Sequence, residues 1–218
     1  MLIIVNLNKL MQKGKLIFKY GCMGGGKSLQ LLATANNFSE HNIPFLIFKS
    51  SIDTRDGGDM VKARDGKTRP CIEIKPEDNL FSVVSDINSI GYKYTTGDFD
   101  KLKWILVDES QFLTEKQVDE LAAIADVLGI SVLCYGLRTD FTTHLFPASK
   151  RLFEIADSFE EIKSSCFCGS KTIFNARIDQ NGEIELSGDQ IEPGGDTRYT
   201  ALCRKCFFGK SNRDYYQE

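Results

Sequence analysis

The chain has 218 residues, with 27 Lys or Arg against 30 Asp or Glu, and a formal net charge of −3. This near-neutral balance argues against a protein whose main task is to coat nucleic acid, because such domains carry a strong basic excess. No apolar run approaches the ~20 residues that cross a bilayer, and the first residues lack the basic flank and cleavage site of a signal peptide. We therefore expect a cytoplasmic globular protein that binds neither nucleic acid nor a membrane.

Short apolar segments alternate with helical patterns through the first two thirds of the chain. The spacing predicts strands over 15–20, 43–48, 104–107 and 130–135, and helices over 29–38, 81–90 and 114–128. Thr114 and Gln117 have the spacing of a capping box, and Gly129 is placed to end that helix. The alternation predicts a parallel sheet with helices on both faces, which is an α/β fold.

The same patterns predict helix faces, a loop and a second region. One face of the first helix carries Leu29, Leu32, Ala33 and Asn36, and the buried stripe of the third carries Val118, Leu121, Ala122, Ala125 and Leu128. Polar residues dominate 50–70, which we expect to be a long surface loop of the kind that is often functional. Beyond residue 160, short antiparallel strands are predicted over 172–178 and 183–186, joined by a turn at Asn181-Gly182.

A glycine-rich segment lies between the first strand and the first helix. The run from Gly21 to Ser28, GCMGGGKS, matches the phosphate-loop pattern G-x-x-x-x-G-K-[ST] in the expected strand–helix setting. Glycines let the backbone curl around phosphates, and free amides together with the helix N-terminus attract an anion. Lys27 would reach the β- and γ-phosphates, and the Ser28 hydroxyl would bind Mg²⁺. The pattern predicts an ATP site, and the alternative is a glycine-rich turn that matches by chance.

Two consecutive carboxylates end the apolar strand over 104–107. In parallel sheets this carboxyl-terminal edge is where ligands bind, so Asp108 fits a residue that holds Mg²⁺ directly or through water. Glu109 points elsewhere and could act as a general base. If the base acts on a hydroxyl the protein is a kinase, and if it acts on water the protein is an ATPase. The alternative is that Glu109 is a solvated charge at the end of the sheet.

Four of the seven cysteines form two close pairs. Cys166 and Cys168 are followed, after 34 residues, by Cys203 and Cys206. Four thiolates in tetrahedral geometry suit Zn²⁺ in a closed structural site, and a small domain needs the folding energy that a metal supplies. A redox pair, unpaired buried thiols and a zinc ribbon that binds nucleic acid are the alternatives.

Taken together and in order, these motifs resemble the type II thymidine kinases, the cytosolic family found in bacteria, animals and large DNA viruses. The likeness covers about residues 14–209. Its residues are Gly21–Ser28, Asp53-Thr54-Arg55, Asp108 to Phe112, Tyr135-Gly136-Leu137, Asp140-Phe141, Gly194-Gly195 and the two cysteine pairs. The sequence departs from the commonest pattern at Gly24-Gly25, at Leu29-Gln30 and in the C-x-C spacing of the first cysteine pair.

The resemblance implies a fold and a reaction. The fold is a RecA-like P-loop domain with a parallel sheet, plus a small zinc-binding domain that carries a substrate-covering loop. The reaction transfers the γ-phosphate of ATP to the 5′-hydroxyl of thymidine, with Mg²⁺ and a structural Zn²⁺ as cofactors and deoxyuridine as a further acceptor. A homotetramer and feedback inhibition by thymidine triphosphate are also implied by the likeness.

The resemblance also assigns roles to residues. Glu109 is the catalytic base, and Ser28, Asp53 and Asp108 are associated with Mg²⁺. The phosphate-binding set is Gly21, Cys22, Met23, Gly24, Gly25, Gly26, Lys27, Ser28, Arg55, Asp108, Glu109, Ser110 and Gln111. The substrate-binding set is Met23, Phe112, Leu137, Phe141, Gly194, Gly195 and Tyr199.

We divide the chain into an N-terminal extension (1–14), a P-loop α/β domain (15–160), a zinc-binding domain with the substrate loop (161–210) and a tail (211–218). The alternative function is a P-loop ATPase whose zinc ribbon binds single-stranded nucleic acid. The low basic charge and the absence of a basic-aromatic stripe count against it. A nucleotide-binding protein without catalysis is a third hypothesis, which the intact Lys27, Ser28, Asp108 and Glu109 argue against.

Overall fold

A parallel β-sheet forms the centre of the molecule in the computed structural model, which describes residues 13–54, 59–86, 102–188, 190 and 198–210. The strands are β1 (Leu16–Gly21), β2 (Phe45–Ser50), β3 (Met60–Lys62), β4 (Thr68–Pro70), β5 (Ile72–Ile74), β6 (Trp104–Asp108), β7 (Ser131–Gly136), β8 (Ser158–Ile162), β9 (Phe174–Arg177) and β10 (Tyr199–Leu202). The helices are α1 (Lys27–Glu40), α2 (Leu80–Ser85), α3 (Glu115–Ala123), α4 (Pro147–Ile155) and α5 (Arg204–Lys210).

Six of these strands pair in the order β5-β2-β6-β7-β1-β8, and every pair is parallel. One face of the sheet packs against α2, α3 and α4 through a large apolar cluster that includes Leu80, Leu121 and Leu152. The other face packs against α1 through a second cluster that includes Leu31 and Tyr135. The predicted parallel α/β sheet with helices on both faces is therefore confirmed.

The order of the strands brings the candidate chemical groups to one edge. Strand β7 lies between β1, which leads into the glycine-rich loop, and β6, which ends at Asp108. All three strands run the same way, so their carboxyl ends open on one crevice, which is where α/β sheets bind ligands.

The four predicted apolar strands are confirmed, within two residues, as β1, β2, β6 and β7. The first helix begins at Lys27, earlier than predicted, because the glycine-rich loop passes directly into it, with Gly26 at φ 86° as its N-cap. Its predicted face was confirmed only at Leu32, which is buried together with Leu31 and Ala35, which were not predicted. Leu29 is 43% exposed and lies at the crevice instead of in the core.

The predicted helix over 114–128 is confirmed, including the capping box of Thr114 and Gln117 and the left-handed Gly129 at its end. Its last turn is a π-helix from Ile124 to Leu128, which adds a residue to the turn and shifts the inward face. Ile124 is therefore buried, whereas the predicted Leu128 is 39% exposed. The predicted helix over 81–90 is the short α2, and residues 87–90 lie outside the described part of the chain.

The prediction of one long surface loop over 50–70 was wrong. Strands β3 and β4 form an antiparallel hairpin there, with Met60 paired to Pro70. The side chains of Val61 and Ala63 are buried in the cluster beneath α1. Two buried side chains within a charged segment are too few to reveal a strand by alternation.

The second region also differs from its predicted pairing. Strand β9 pairs with β10, so that Phe174 faces Leu202 and Arg177 faces Tyr199. The strand predicted over 183–186 is reduced to a single bridge between Ile178 and Ile184, although the turn is present with Gly182 at φ 85°. Strand β10, which leads directly into the second cysteine pair, pairs with β9 in place of the segment 183–186.

Helix α4 and strand β8 were not predicted. Pro147 begins α4, whereas β8 has the polar sequence SFEEI and is the edge strand of the sheet among the described residues. Strand β8 ends at Ile162, and the division of the chain at residue 160 stays a prediction. None of the helices that the structure describes is long and apolar enough to cross a bilayer.

Candidate active site

A cavity of about 790 Å³ opens at the carboxyl ends of β1, β6 and β7. Its walls come from the glycine-rich loop, the β3–β4 hairpin, the residues after β6 and β7, and the second region. The lining side chains include Met23, Lys27, Ser28, Asp53, Arg64, Asp108, Glu109, Gln111, Phe112, Leu137, Phe141, Phe146, Asn175 and Tyr199. The candidate phosphate-binding residues and the candidate substrate-binding residues therefore line one cavity.

The glycine-rich loop has the conformation that its sequence predicts. Gly24 and Gly26 adopt left-handed backbone angles, φ 70° and 86°, which glycine reaches at little cost. The buried Lys27 ammonium donates hydrogen bonds to the carbonyl oxygens of Cys22 at 3.0 Å and Gly21 at 3.5 Å. A Cβ on Gly21 would lie 2.6 Å from the Ile162 carbonyl oxygen, so only glycine fits where β1 meets β8.

A group of buried polar side chains faces the start of α1. The Ser28 hydroxyl donates to Asp108 Oδ1 at 3.4 Å. Lys49, which is opposite Asp108 in the β2–β6 register, forms an ion pair with Asp53 at 3.3 Å and is 1% exposed. Burial, and secondly the charge of Glu109, raise the pKa of Asp108 above the usual range of a carboxyl.

These residues fit a divalent cation. A hydroxyl and two buried carboxylates are the oxygen ligands that Mg²⁺ prefers. A nearby cation would also offset the burial that disfavours the ionised form of Asp108. Ser28, Asp53 and Asp108 are therefore the residues that could hold Mg²⁺.

Glu109 occupies an unusual backbone conformation. Its φ of 49° is in the left-handed region, which is uncommon for a residue other than glycine and is often found at functional sites. Glu109 is buried and lines the cavity beside Asp108. Gln111 Nε2 donates to Glu109 Oε2 at 2.6 Å, while Gln111 Oε1 accepts from the Leu137 amide at 2.9 Å.

Gly136 makes room for this arrangement. A Cβ at that position would lie 2.5 Å from Ser110 Oγ and 3.0 Å from Gln111 Oε1. The end of β7 can therefore approach Gln111 because residue 136 has no side chain. No local pattern indicates that Gln111 orients a neighbouring carboxylate, since the partner amide of Leu137 is 26 positions away.

Apolar side chains line the other end of the cavity. Phe112 packs edge-on against Phe146, with ring centroids 5.9 Å apart. The Arg177 guanidinium lies 3.7 Å above the ring of Phe141, which is almost fully buried. Ser149 of α4 donates to the Leu137 carbonyl at 2.6 Å and fixes the chain there. Phe146 and Asn175 were not predicted as site residues, because neither belongs to a recognisable motif.

The four predicted cysteines come together outside the cavity. The Sγ atoms of Cys166, Cys168, Cys203 and Cys206 all lie within 4.8 Å of one another. This all-sulfur donor set in a compact cluster fits a structural Zn²⁺. Gly169, with φ 85°, allows the tight turn in which its amide donates to the Cys166 carbonyl.

The thiols differ in acidity without a metal. Hydrogen bonds from Ser170 lower the pKa of Cys168 to about 6, and backbone amides of Cys168 and Cys203 lower the pKa of Cys166. Desolvation raises the pKa of Cys206 to about 12. A bound cation would stabilise all four as thiolates.

Most of the predicted phosphate-binding and substrate-binding residues line one cavity, and some do not. Gly21, Cys22, Gly25 and Ser110 support the loop and β6 from behind without lining the cavity. Ser110 is fully buried, and its hydroxyl has no hydrogen-bond partner among the described residues. The predicted residues Arg55, Gly194 and Gly195 lie outside the described part of the chain.

A parallel sheet with a phosphate loop facing two carboxylates defines a P-loop nucleotide-binding protein. Strands β9 and β10, helix α5 and the four cysteines form a second unit, which we call the cysteine module. The family model described as thymidine kinase matches residues 14–207. The chain therefore belongs to the thymidine kinase family.

Individual relatives agree with the family model. A thymidine kinase of Zymomonas mobilis is 43% identical over 91% of this chain and 98% of its own length. One of Mannheimia succiniciproducens is 40% identical over 91% and 97%, and one of Shouchella clausii is 41% identical over 88% and 95%. Among solved structures, the Legionella pneumophila ATPase DotB aligns with a TM-score of 0.37 at 14% identity, over 77% of this chain and 46% of that one.

Proposed function

We propose that this chain transfers the γ-phosphate of ATP to the 5′-hydroxyl of thymidine and forms thymidine monophosphate. The observation that carries the proposal is that Glu109 and the phosphate loop face one cavity in a chain of the thymidine kinase family. The relative from Zymomonas mobilis, which is 43% identical and is matched over 98% of its length, is named thymidine kinase.

The phosphate loop would bind the triphosphate. Its amides and the N-terminus of α1 would attract the anion, and the Lys27 ammonium, which donates to the Cys22 carbonyl, would contact the β- and γ-phosphates. Ser28 and Asp108, with Asp53 beside them, would hold Mg²⁺, which neutralises charge on the transferred phosphoryl group. The ion pair with Lys49 holds the Asp53 carboxylate in place.

Glu109 would act as the general base. Its carboxylate accepts the proton of the 5′-hydroxyl as the hydroxyl oxygen bonds to the γ-phosphorus and ADP leaves. The hydrogen bond from Gln111 fixes one carboxylate oxygen and thereby sets the direction in which the other faces the sugar. Positioning of this kind, together with electrostatic stabilisation, is what a protein contributes to phosphoryl transfer.

The apolar end of the cavity would bind the thymine ring of the nucleoside. Phe112, Leu137 and Phe141 offer walls for a planar ring, and Met23 of the phosphate loop lines the same cavity. Tyr199 begins β10. The predicted substrate-covering loop, which contains Gly194 and Gly195, comes just before it in the sequence. The cysteine cluster follows within a few residues and would anchor that end through Zn²⁺.

The wider expectations rest on the family resemblance. We propose that deoxyuridine is a second acceptor, that thymidine triphosphate inhibits by feedback, that the protein forms a homotetramer and that it acts in the cytoplasm. Each of these is open to direct measurement.

The decisive experiment incubates the protein and Mg²⁺ with γ-labelled ATP and a panel of nucleosides, with and without single-stranded DNA. We expect label in thymidine monophosphate, less in deoxyuridine monophosphate and little in inorganic phosphate. Hydrolysis of ATP that is stimulated by DNA, without a nucleoside product, would overturn the proposal in favour of a nucleic-acid-dependent ATPase.

A further inference from the structure

Asn175 in β9 connects two loops that belong to the α/β domain. Its Oδ1 accepts a hydrogen bond from the Met23 amide at 2.8 Å, across 152 positions of sequence. Its Nδ2 donates to the carbonyl oxygen of Thr139 at 3.0 Å. Asn175 is 3% exposed, so neither bond competes freely with water.

Both bonds require a carboxamide in one orientation. An amide N–H can only donate and a backbone carbonyl can only accept, so the two partners fix which end of Asn175 is oxygen. A hydrophobic side chain satisfies neither partner. Loss of the bond to Thr139 would leave a buried carbonyl without that donor, and loss of the other would leave the partly buried Met23 amide without that acceptor, which is costly.

The Met23 amide lies at the beginning of the phosphate loop. The loop then turns through the bond from the Gly25 amide to the Cys22 carbonyl, which also accepts from Lys27. Because Asn175 holds the amide of Met23, it fixes the position from which the phosphate-binding amides of the next residues start. The other partner, Thr139, belongs to the segment after β7 that carries Leu137 and Phe141 to the base-binding end.

Asn175 is itself held by the cysteine module. It faces Ala201 in the β9–β10 ladder, and Cys203 comes two residues later. The adjacent Phe174 packs against Phe207 and Phe208 of α5, with ring centroids 5.0 and 5.7 Å apart. The position of the amide therefore depends on the fold of the module that contains the four cysteines.

We propose that Asn175 is a positioning residue through which the cysteine module sets the geometry of the phosphate loop and of the base-binding segment together. The inference rests on the proposed function for its kinetic consequence, whereas its structural consequence is independent of that function. In this scheme the module does more than cover the nucleoside: it also supports the site of ATP from behind.

The test compares Asn175→Leu with Asn79→Leu. Asn79 is a control matched in hydrogen bonding, though not in burial: its exposed amide also accepts from a backbone amide, that of Ser82 at 2.7 Å, and donates to Glu120 at 2.9 Å. It lies at the N-terminus of α2 and does not line the cavity. Hydrogen exchange of the Met23 amide and the KM values for ATP and thymidine are measured for both variants and for the unmodified protein, together with melting temperature and metal content.

We expect Asn175→Leu to speed exchange at Met23 by about tenfold or more, since this amide loses its hydrogen-bond acceptor. We also expect its KM values for both ATP and thymidine to rise by about tenfold, with metal content unchanged. The Asn79→Leu variant should lose stability and keep wild-type exchange at Met23 and wild-type KM values. Removal of the metal from the unmodified protein by a chelator should likewise speed exchange at Met23.

Unchanged exchange at Met23 in Asn175→Leu or after removal of the metal, or equal KM changes in both variants, would overturn the proposal. If Asn175→Leu does not fold, the same measurements on Asn175→Ala decide the question. If the unmodified protein forms no thymidine monophosphate, the proposed function fails, and the exchange experiment still tests the role of Asn175.

Discussion

Gln111 donates a 2.6 Å hydrogen bond to the carboxylate of Glu109, two residues earlier in the chain. The Oε1 atom of Gln111 accepts a hydrogen bond from the Leu137 backbone amide. Its Nε2 atom therefore cannot rotate away from the Glu109 carboxylate unless the bond to Leu137 is lost. The rigid end of β7 thereby sets the direction of the proposed base.

The Gln111→Leu variant removes this constraint and leaves the carboxylate in place. We expect kcat to fall by about 10- to 100-fold, with a smaller change in the KM for ATP, because a misdirected base loses efficiency. The measurement is steady-state kinetics with both substrates.

Gln117 provides the control for Gln111. It is equally buried and forms the capping box of α3, and it does not line the cavity. Gln117→Leu should lower the melting temperature and keep kcat. Equal losses of kcat in the two variants would show that Gln111 has only a structural role.

The Glu109→Gln variant tests the base itself. It keeps the size of the side chain and one oxygen that can accept from Gln111, and it removes the ability to take up a proton. We expect kcat to fall by about 10²- to 10⁴-fold while ATP affinity, measured by calorimetry, stays near that of the unmodified protein. Glu160→Gln, an exposed change in β8, is the control, and full turnover by Glu109→Gln would remove the assignment.

Gly136→Ala tests the close approach of β7 to Gln111. The added Cβ would lie 2.5 Å from Ser110 Oγ and 3.0 Å from Gln111 Oε1, so both side chains must move. We expect a destabilisation of about 1–3 kcal/mol, as for other overpacked sites, and a fall in kcat like that of Gln111→Leu.

Gly209→Ala is the matched control for Gly136→Ala. A Cβ at Gly209 in α5 would meet nothing within 4 Å. That change should leave kcat unaltered and should keep or slightly raise stability, by up to about 1 kcal/mol, because alanine favours a helix over glycine. A Gly136→Ala variant that is as stable and as active as Gly209→Ala would contradict the packing argument.

The cysteine cluster predicts one zinc ion per chain, detectable by elemental analysis. Cys203→Ser should release the metal, lower the melting temperature and weaken thymidine binding, because β10 leads from Tyr199 into this residue. Cys134→Ala, in the buried centre of β7, is a control that should retain the metal. Full zinc content in Cys203→Ser would contradict the assignment of the ligands.

Sequence-based prediction works best where a function depends on neighbouring positions. The phosphate loop, Asp108 with Glu109 and the cysteine pairs each have a local spacing that chemistry imposes. The roles of Gln111 and Asn175 depend on partners 26 and 152 positions away, which no local pattern records.

The fold shows the same limit. The buried strands were predictable because both faces are apolar, whereas β8 is a polar edge strand and the β3–β4 hairpin has two buried side chains among charged residues. The pairing of β9 with β10 could not be predicted from the nearer segment 183–186, since a more distant strand takes that place.

The left-handed backbone at Glu109 sets the stability of the fold against the proposed role of this residue as the base. A glycine there would relax the conformation and, by the usual cost of such an angle, gain about 1 kcal/mol of folding free energy. It would also delete the carboxylate. Selection for stability alone would therefore favour glycine at position 109 and a protein without the proposed base. A glutamate at this turn is the residue expected where activity is kept at a cost in stability.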